Sequence, residues 1–184
     1  MADVFQYAVV TQKGLALQAK VATGGTIEFT KVKTGAGTVD AVLLQNQTDV
    51  SQPMQEFLYS SEPTFDDDGR VTLAVVVTND GLEADYDLYQ VGIFAKDPDE
   101  GEILYAIIQG SKPVPVLADM VGWTAEFHIS MQYGNADTVT VALDSAGLMT
   151  LSTADNRYLR VATPGDSALR FGHDEKGFYV MKGE

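Results

Sequence analysis

Two histidines and 26 aspartates and glutamates are the side chains of this 184-residue chain that could do acid–base or metal chemistry. There is no cysteine, which excludes a thiolate nucleophile and a Cys-ligated zinc. His128 lies on the polar face of an alternating segment, where an exposed or hydrogen-bonded side chain is expected, and His173 lies in a predicted turn. Neither has the spacing of a paired metal ligand, so the sequence predicts no transition-metal site.

Three acidic clusters are the other candidates for chemistry. Asp66-Asp67-Asp68 stands beside a glycine and could ligate calcium, but the spacing and the distant glutamate of a calcium-binding loop are missing. We interpret this cluster, Asp97-Pro98-Asp99-Glu100 and Asp174-Glu175 as solvated hairpin tips. Two carboxylates of a glycosidase could converge in the fold, yet nothing in the sequence selects a pair. The sequence therefore predicts no catalytic residue, no cofactor and no metal ion.

An alternative function, glycan binding, would depend on Trp123, Glu126 and Tyr133. An aromatic ring on a sheet surface can stack on a sugar, and a nearby carboxylate can accept hydrogen bonds from its hydroxyls. A single tryptophan in a β-domain is usually part of the core, however. An exposed Trp123 would favour a carbohydrate-binding adhesin module that recognises host-wall glycan.

The charge balance excludes several classes of partner. Twelve lysines and arginines stand against 26 acids, and the resulting net charge of −14 repels phosphate backbones, so nucleic-acid binding is disfavoured. No apolar run approaches the roughly 18 residues of a membrane span, so no membrane insertion is expected. The first residues lack a cationic start and an apolar stretch. We expect a soluble protein that is made in the cytoplasm.

Apolar periodicity predicts a mainly β (α+β) fold with a mostly antiparallel sheet or sandwich. Residues 90–95 and 103–108 are two strand-like runs around an acidic Pro/Gly turn, which predicts a hairpin at the centre of the domain. Residues 70–78 are rich in β-branched side chains, residues 126–133 alternate cleanly, and residues 139–143 resume the alternation.

One short helix is predicted near the N-terminus. Thr11 can cap a run that continues to Ala22, and Gly24-Gly25 supplies the stop. Residues 40–47 could form another helical turn.

The sequence becomes more polar after Asp144, and we place a boundary between residues 1–144 and 145–184. Ser152 is predicted to cap a short helix, and residues 169–171 and 178–181 are predicted to pair as a last hairpin. A lone two-stranded hairpin is marginal in water. We expect this appendage to pack on its own domain or on copies of itself.

The central hairpin also resembles a known family. Its run Gly92-Ile93-Phe94-Ala95, the acidic turn and Ile103-Leu104-Tyr105-Ala106 resemble a signature of the N-terminal domain of phage tail-collar and tail-fibre proteins. The resemblance spans most of residues 1–144, and residues 151–160 look like the connectors that join fibre domains to their shafts. Gln90-Val91 departs from the family, which often has a glutamate there.

The resemblance implies a non-enzymatic structural component of a phage or prophage tail, at the baseplate or collar of the virion. Residues 1–144 would dock on other tail or baseplate proteins, and residues 145–184 would associate with copies of the chain, as a homotrimer. We hypothesise that four apolar residues of the last hairpin form this oligomer contact: Leu169, Phe171, Phe178 and Val180.

Overall fold

The computed structural model of the chain describes residues 5, 8–22, 24–66, 70–132, 138–143, 169–174 and 177–182. The chain divides into two compact units, Met1–Leu148 and Met149–Glu184. Among the described residues, the helices are α1 (Gln12–Val21) and a 3-10 helix (Ala41–Asn46). The strands are β1 (Val9–Val10), β2 (Thr26–Gly35), β3 (Pro53–Phe57), β4 (Thr64–Phe65), β5 (Arg70–Thr78), β6 (Tyr86–Asp97), β7 (Gly101–Val116), β8 (Thr124–Gln132), β9 (Thr138–Val141), β10 (Leu169–Asp174) and β11 (Gly177–Lys182). The predicted mainly β fold with a short N-terminal helix is confirmed.

Helix α1 begins where the sequence predicts. The Thr11 hydroxyl accepts a hydrogen bond from the Gly14 backbone N–H at 3.0 Å, which satisfies one of the free donors of the first turn. The same hydroxyl donates to the Leu104 carbonyl at 2.5 Å. The cap therefore ties the helix to β7, while Leu17 and Val21 pack into the hydrophobic core.

The predicted central hairpin is confirmed and is longer than the sequence suggests. Strands β6 and β7 pair from Tyr86 opposite Val116 to Asp97 opposite Gly101. The larger sheet has the order β1-β7-β6-β2-β3, and β9 adds a parallel pair beside β2. Its other pairs are antiparallel, so the prediction of a mostly antiparallel sheet is confirmed.

The smaller sheet has the order β4-β5-β8. Strand β5 pairs with β8 along its whole length, from Arg70 opposite Gln132 to Thr78 opposite Thr124. Alternate residues of this sheet share one hydrophobic cluster with the larger sheet and α1. The buried members from β5 and β8 are Val71, Leu73, Val75, Ile129 and Met131.

A second cluster covers the opposite face of β6 and β7. Phe94 and Leu104 pack there with Leu44 and Val50, which belong to the segment 36–52 between β2 and β3. The segment lies so close to β6 that a side-chain carbon on Gly92 would come within 2.6 Å of Val50. The central hairpin is therefore buried on both faces, which requires apolar residues at consecutive positions.

A fully buried glutamine fastens the segment 36–52 to the sheet. Gln90 Oε1 accepts a hydrogen bond from the Ser51 backbone N–H at 2.7 Å. Gln90 Nε2 donates to Gln109 Oε1 at 2.7 Å and to Gln47 Oε1 at 3.2 Å. Gln109 in turn donates to the Val39 carbonyl and accepts from its N–H. The buried amides thus find partners across three segments, as buried polar groups must.

The terminal hairpin is also confirmed, by antiparallel pairing of β10 with β11. The prediction that His173 lies in a turn is wrong, because its backbone pairs with Phe178. Asp174 forms the last pair of the hairpin, with Gly177. Glu175 and the predicted helix from Ser152 lie outside the described residues.

Replacing Gln90 with alanine is expected to lower the free energy of unfolding by about 3 kcal/mol, because Ser51 and Gln109 lose a buried partner. The matched control is Gln12→Ala at an exposed position of α1, which should change stability by less than about 0.5 kcal/mol. Urea unfolding of both variants measures the difference. Equal stabilities would contradict a structural role for the buried amide.

Candidate interaction surface

His128 lies on the exposed face of β8, as the sequence predicts. Its Nε2 lies 3.2 Å from Glu126 Oε1, and both side chains are exposed. Exposed ion pairs contribute little to stability, because water and salt screen them. We therefore interpret His128 and Glu126 as part of the solvent face of the strand.

Trp123 and Glu126, two residues of the alternative glycan site, differ in their surroundings. Trp123 is half-buried and packs against the main hydrophobic cluster, as the core interpretation predicts. Glu126 is exposed beside His128, on the opposite face of β8 from the buried Ala125. Tyr133 lies outside the described residues. The structure therefore does not bring Trp123 and Glu126 to a common face.

The first acidic cluster behaves as predicted where it is described. Asp66 is exposed, and its Oδ1 accepts a hydrogen bond from the Arg70 N–H at 2.8 Å. Asp67 and Asp68 lie outside the described residues. Across the part of the chain that the structure describes, no group of three or more His, Asp and Glu side chains could hold a metal ion.

The prediction of a solvated tip is wrong for Asp97, which is 3 % exposed. Its carboxylate accepts hydrogen bonds from Lys20 Nζ at 2.7 and 2.8 Å. It also accepts from the backbone N–H groups of Asp99 and Glu100, so it closes the turn and joins it to α1. Asp97 is buried because these donors compensate its charge. Asp99 and Glu100 remain exposed.

Five lysines of residues 1–148 are paired with acids of the same unit. On the larger sheet, Lys31 lies between Glu56 at 3.0 Å and Glu102 at 2.8 Å, and Lys33 lies 3.1 Å from Asp49. The hydrogen bond with Glu102 raises the pKa of Lys31, and that with Lys31 lowers the pKa of Glu56. Further pairs are Lys13 with Glu100, Lys20 with Asp97, and Lys96 with Glu28.

The connection from β7 to β8 exposes large apolar side chains. We call residues 117–122 the apolar loop. Leu117 is 37 % exposed, Met120 is 52 % exposed and Val121 is fully exposed. Leaving such side chains in water gives up the free energy that burial would provide, so neighbouring exposed apolar residues often mark interaction sites.

The apolar loop is held in one conformation by Asn79, which is 8 % exposed. Asn79 Nδ2 donates to the carbonyls of Leu117 and Met120 at 2.7 Å and to that of Ala118 at 3.3 Å. Asp85 Oδ1 accepts from the Ala118 N–H at 2.7 Å. Because these bonds fix the backbone before binding, the loop loses little conformational entropy when a partner binds it.

The surroundings of the apolar loop are acidic. Asp119 lies within the loop and Asp85 contacts it. Asp80 follows Asn79, and Asp87 pairs with Pro115 just before the loop. The sequence contains no lysine or arginine from residue 71 to residue 95. The loop therefore combines an apolar tip with a negative border.

No family model, no curated protein and no solved structure matches this chain. Within the described ranges, no helix is long and apolar enough to cross a membrane.

No local pattern in the sequence marks the apolar loop as a site. Met120-Val121 resembles the start of a strand. The local turn signal is Asn79-Asp80-Gly81, in the distant segment whose Asn79 binds the loop. The hydrogen bonds from Asn79 span about forty positions of the chain, and no local pattern signals contacts of that kind.

Asp97→Ala is expected to lower the free energy of unfolding by about 2 kcal/mol at pH 7, because the turn and Lys20 lose a buried carboxylate. Asp97→Asn keeps an acceptor for the turn and should lose less. Asp99→Asn, at an exposed side chain, is the control and should change stability by under about 0.5 kcal/mol.

The effect of Asp97 should depend on pH. Its hydrogen bond with Lys20 holds the pKa of Asp97 below its ordinary value. The stabilisation is therefore present above the unfolded pKa of about 3.9 and is lost as the pH falls through the lower folded pKa. Urea unfolding at pH 7 and pH 2 should show that Asp97→Ala differs less from the wild type at pH 2. A difference independent of pH would contradict this account.

Asn79→Ala should loosen the apolar loop, because three backbone carbonyls lose their donor. We expect amide hydrogen exchange at Ala118 and Met120 to accelerate by about tenfold. Asp80→Ala changes the exposed neighbour and should leave these rates unaltered. Unchanged exchange in Asn79→Ala would show that the loop is ordered by other contacts.

Proposed function

We propose that the chain is a non-enzymatic structural component of a phage or prophage tail and acts by protein–protein assembly as a homotrimer. The residues that resemble tail-collar and tail-fibre proteins form the paired strands β6 and β7 at the centre of the larger sheet. In this proposal the first unit, which contains residues 1–144, attaches to other tail or baseplate proteins, and the second unit, which lies within residues 145–184, joins the copies.

The observation that carries the proposal is the register of the terminal hairpin. Phe171 is opposite Val180, and Leu169 and Phe178 occupy positions two residues from this pair along their own strands. Because residues two apart in a strand share a face, the four residues occupy positions of one face of the hairpin backbone. A two-stranded hairpin cannot bury such a face by itself, and equivalent faces of further copies can cover it.

The distribution of charge supports the same assignment. Residues 1–148 contain seven lysines and arginines against 21 acids, whereas residues 149–184 contain five of each. The whole net charge of −14 therefore belongs to the first unit. Residues 149–184 have no net charge, so they add no net repulsion of their own to a contact between copies.

Light scattering after size-exclusion chromatography tests the proposal. We expect the full chain to show about three times its mass of 19.8 kDa, and a chain truncated after Asp144 to show a single copy. Phe171→Ser should reduce the mass to one copy, because it places a polar group on the shared face. The matched control Met181→Ser changes an apolar residue on the other face and should leave the trimer intact.

A full-length chain that stays monomeric at micromolar concentration would contradict the proposed assembly. So would a truncated chain with the same number of copies as the full chain, because the self-contact would then lie in the first unit.

A further inference from the structure

We propose that the apolar loop is a docking site for a protein whose surface offers an apolar pocket bordered by lysine and arginine. This inference rests on the proposed function, since it assigns the attachment of the first unit to a specific surface. It concerns the hetero-partner alone, because the contact between copies is assigned to residues 149–184.

The shape of the site argues for a pocket in the partner. Val121 is fully exposed and Met120 is 52 % exposed, so both project from the first unit. Asn79 and Asp85 fix the loop beneath them through hydrogen bonds of 2.7 Å. A rigid apolar projection fits a concave apolar surface, and the side chains at the centre of such contacts usually supply most of the binding free energy.

The charges select the class of partner. Asp119 and Asp85 lie at the loop, and Asp80 adjoins Asn79. This border attracts lysines and arginines, which would also accelerate association. It repels anionic lipid headgroups and nucleic acid. A second copy of the first unit is disfavoured as well, because that unit carries the entire net charge of −14.

The experiment uses the full chain with labelled methionine and valine methyl groups, observed by methyl NMR. The probes are two seven-residue peptides with the same Leu-Phe-Leu centre, one with two lysines at each end and one with two glutamates at each end. We expect the lysine peptide to shift the Met120 and Val121 signals. The glutamate peptide should bind about tenfold more weakly, and added salt should weaken binding of the lysine peptide.

Two exposed valines provide a matched pair of variants. Val121→Ser should weaken binding of the lysine peptide about tenfold, since a buried valine side chain contributes roughly that factor. Val42→Ser, on the 3-10 helix where Val42 is 82 % exposed, should leave the affinity unchanged. Both side chains are exposed, so neither variant is expected to unfold the protein.

Several results would overturn the docking proposal. They are equal binding of the two peptides, signal changes at Val42 without changes at Val121, and absence of any shift at Met120 and Val121 with millimolar lysine peptide. Loop-dependent binding to phosphatidylglycerol vesicles would show a membrane surface in place of a protein. A monomeric chain that still binds the lysine peptide through Val121 would contradict the trimer alone, so the two proposals fail separately.

Discussion

The pairing of β6 with β7 is the interaction on which the rest of the first unit depends. Both strands are buried on both faces, so other elements must cover each of the two faces. Helix α1 and the smaller sheet cover one face, and the segment 36–52 covers the other. The buried Gln90 connects that segment to the hairpin, and Asp97 connects the hairpin turn to α1. A change in the hairpin therefore affects every layer at once.

Local patterns in the sequence predict the elements that depend on local physics. The Thr11 cap, the alternation in β8 and the acidic turn after β6 each indicate their structure through neighbouring residues. The burial of Gln90 and Asp97 could not be predicted in this way. Each of these side chains accepts a hydrogen bond from a donor more than thirty positions away, which no local pattern indicates.

The same limit applies to the candidate site. The exposed Val121 follows from hydrogen bonds made by Asn79, which is distant in the sequence. The register of the terminal hairpin, in contrast, agrees with the pattern of its apolar residues. The four residues that the sequence proposes for the self-contact share a face because β-strands alternate with a period of two. The shared face of these four residues is thus predictable from sequence, whereas the exposed apolar loop required the structure.

The two proposed surfaces belong to units of different net charge, and each is assigned a different kind of contact. The negative first unit would repel its own copies and favour a basic partner, whereas the neutral second unit would bring copies together. Sedimentation equilibrium of the full chain at increasing salt tests this division most directly. Salt screens repulsion between the negative units, so the account predicts a trimer that tightens from about 50 to 500 mM NaCl. A trimer that dissociates as salt rises, or a single copy at every concentration, would contradict it.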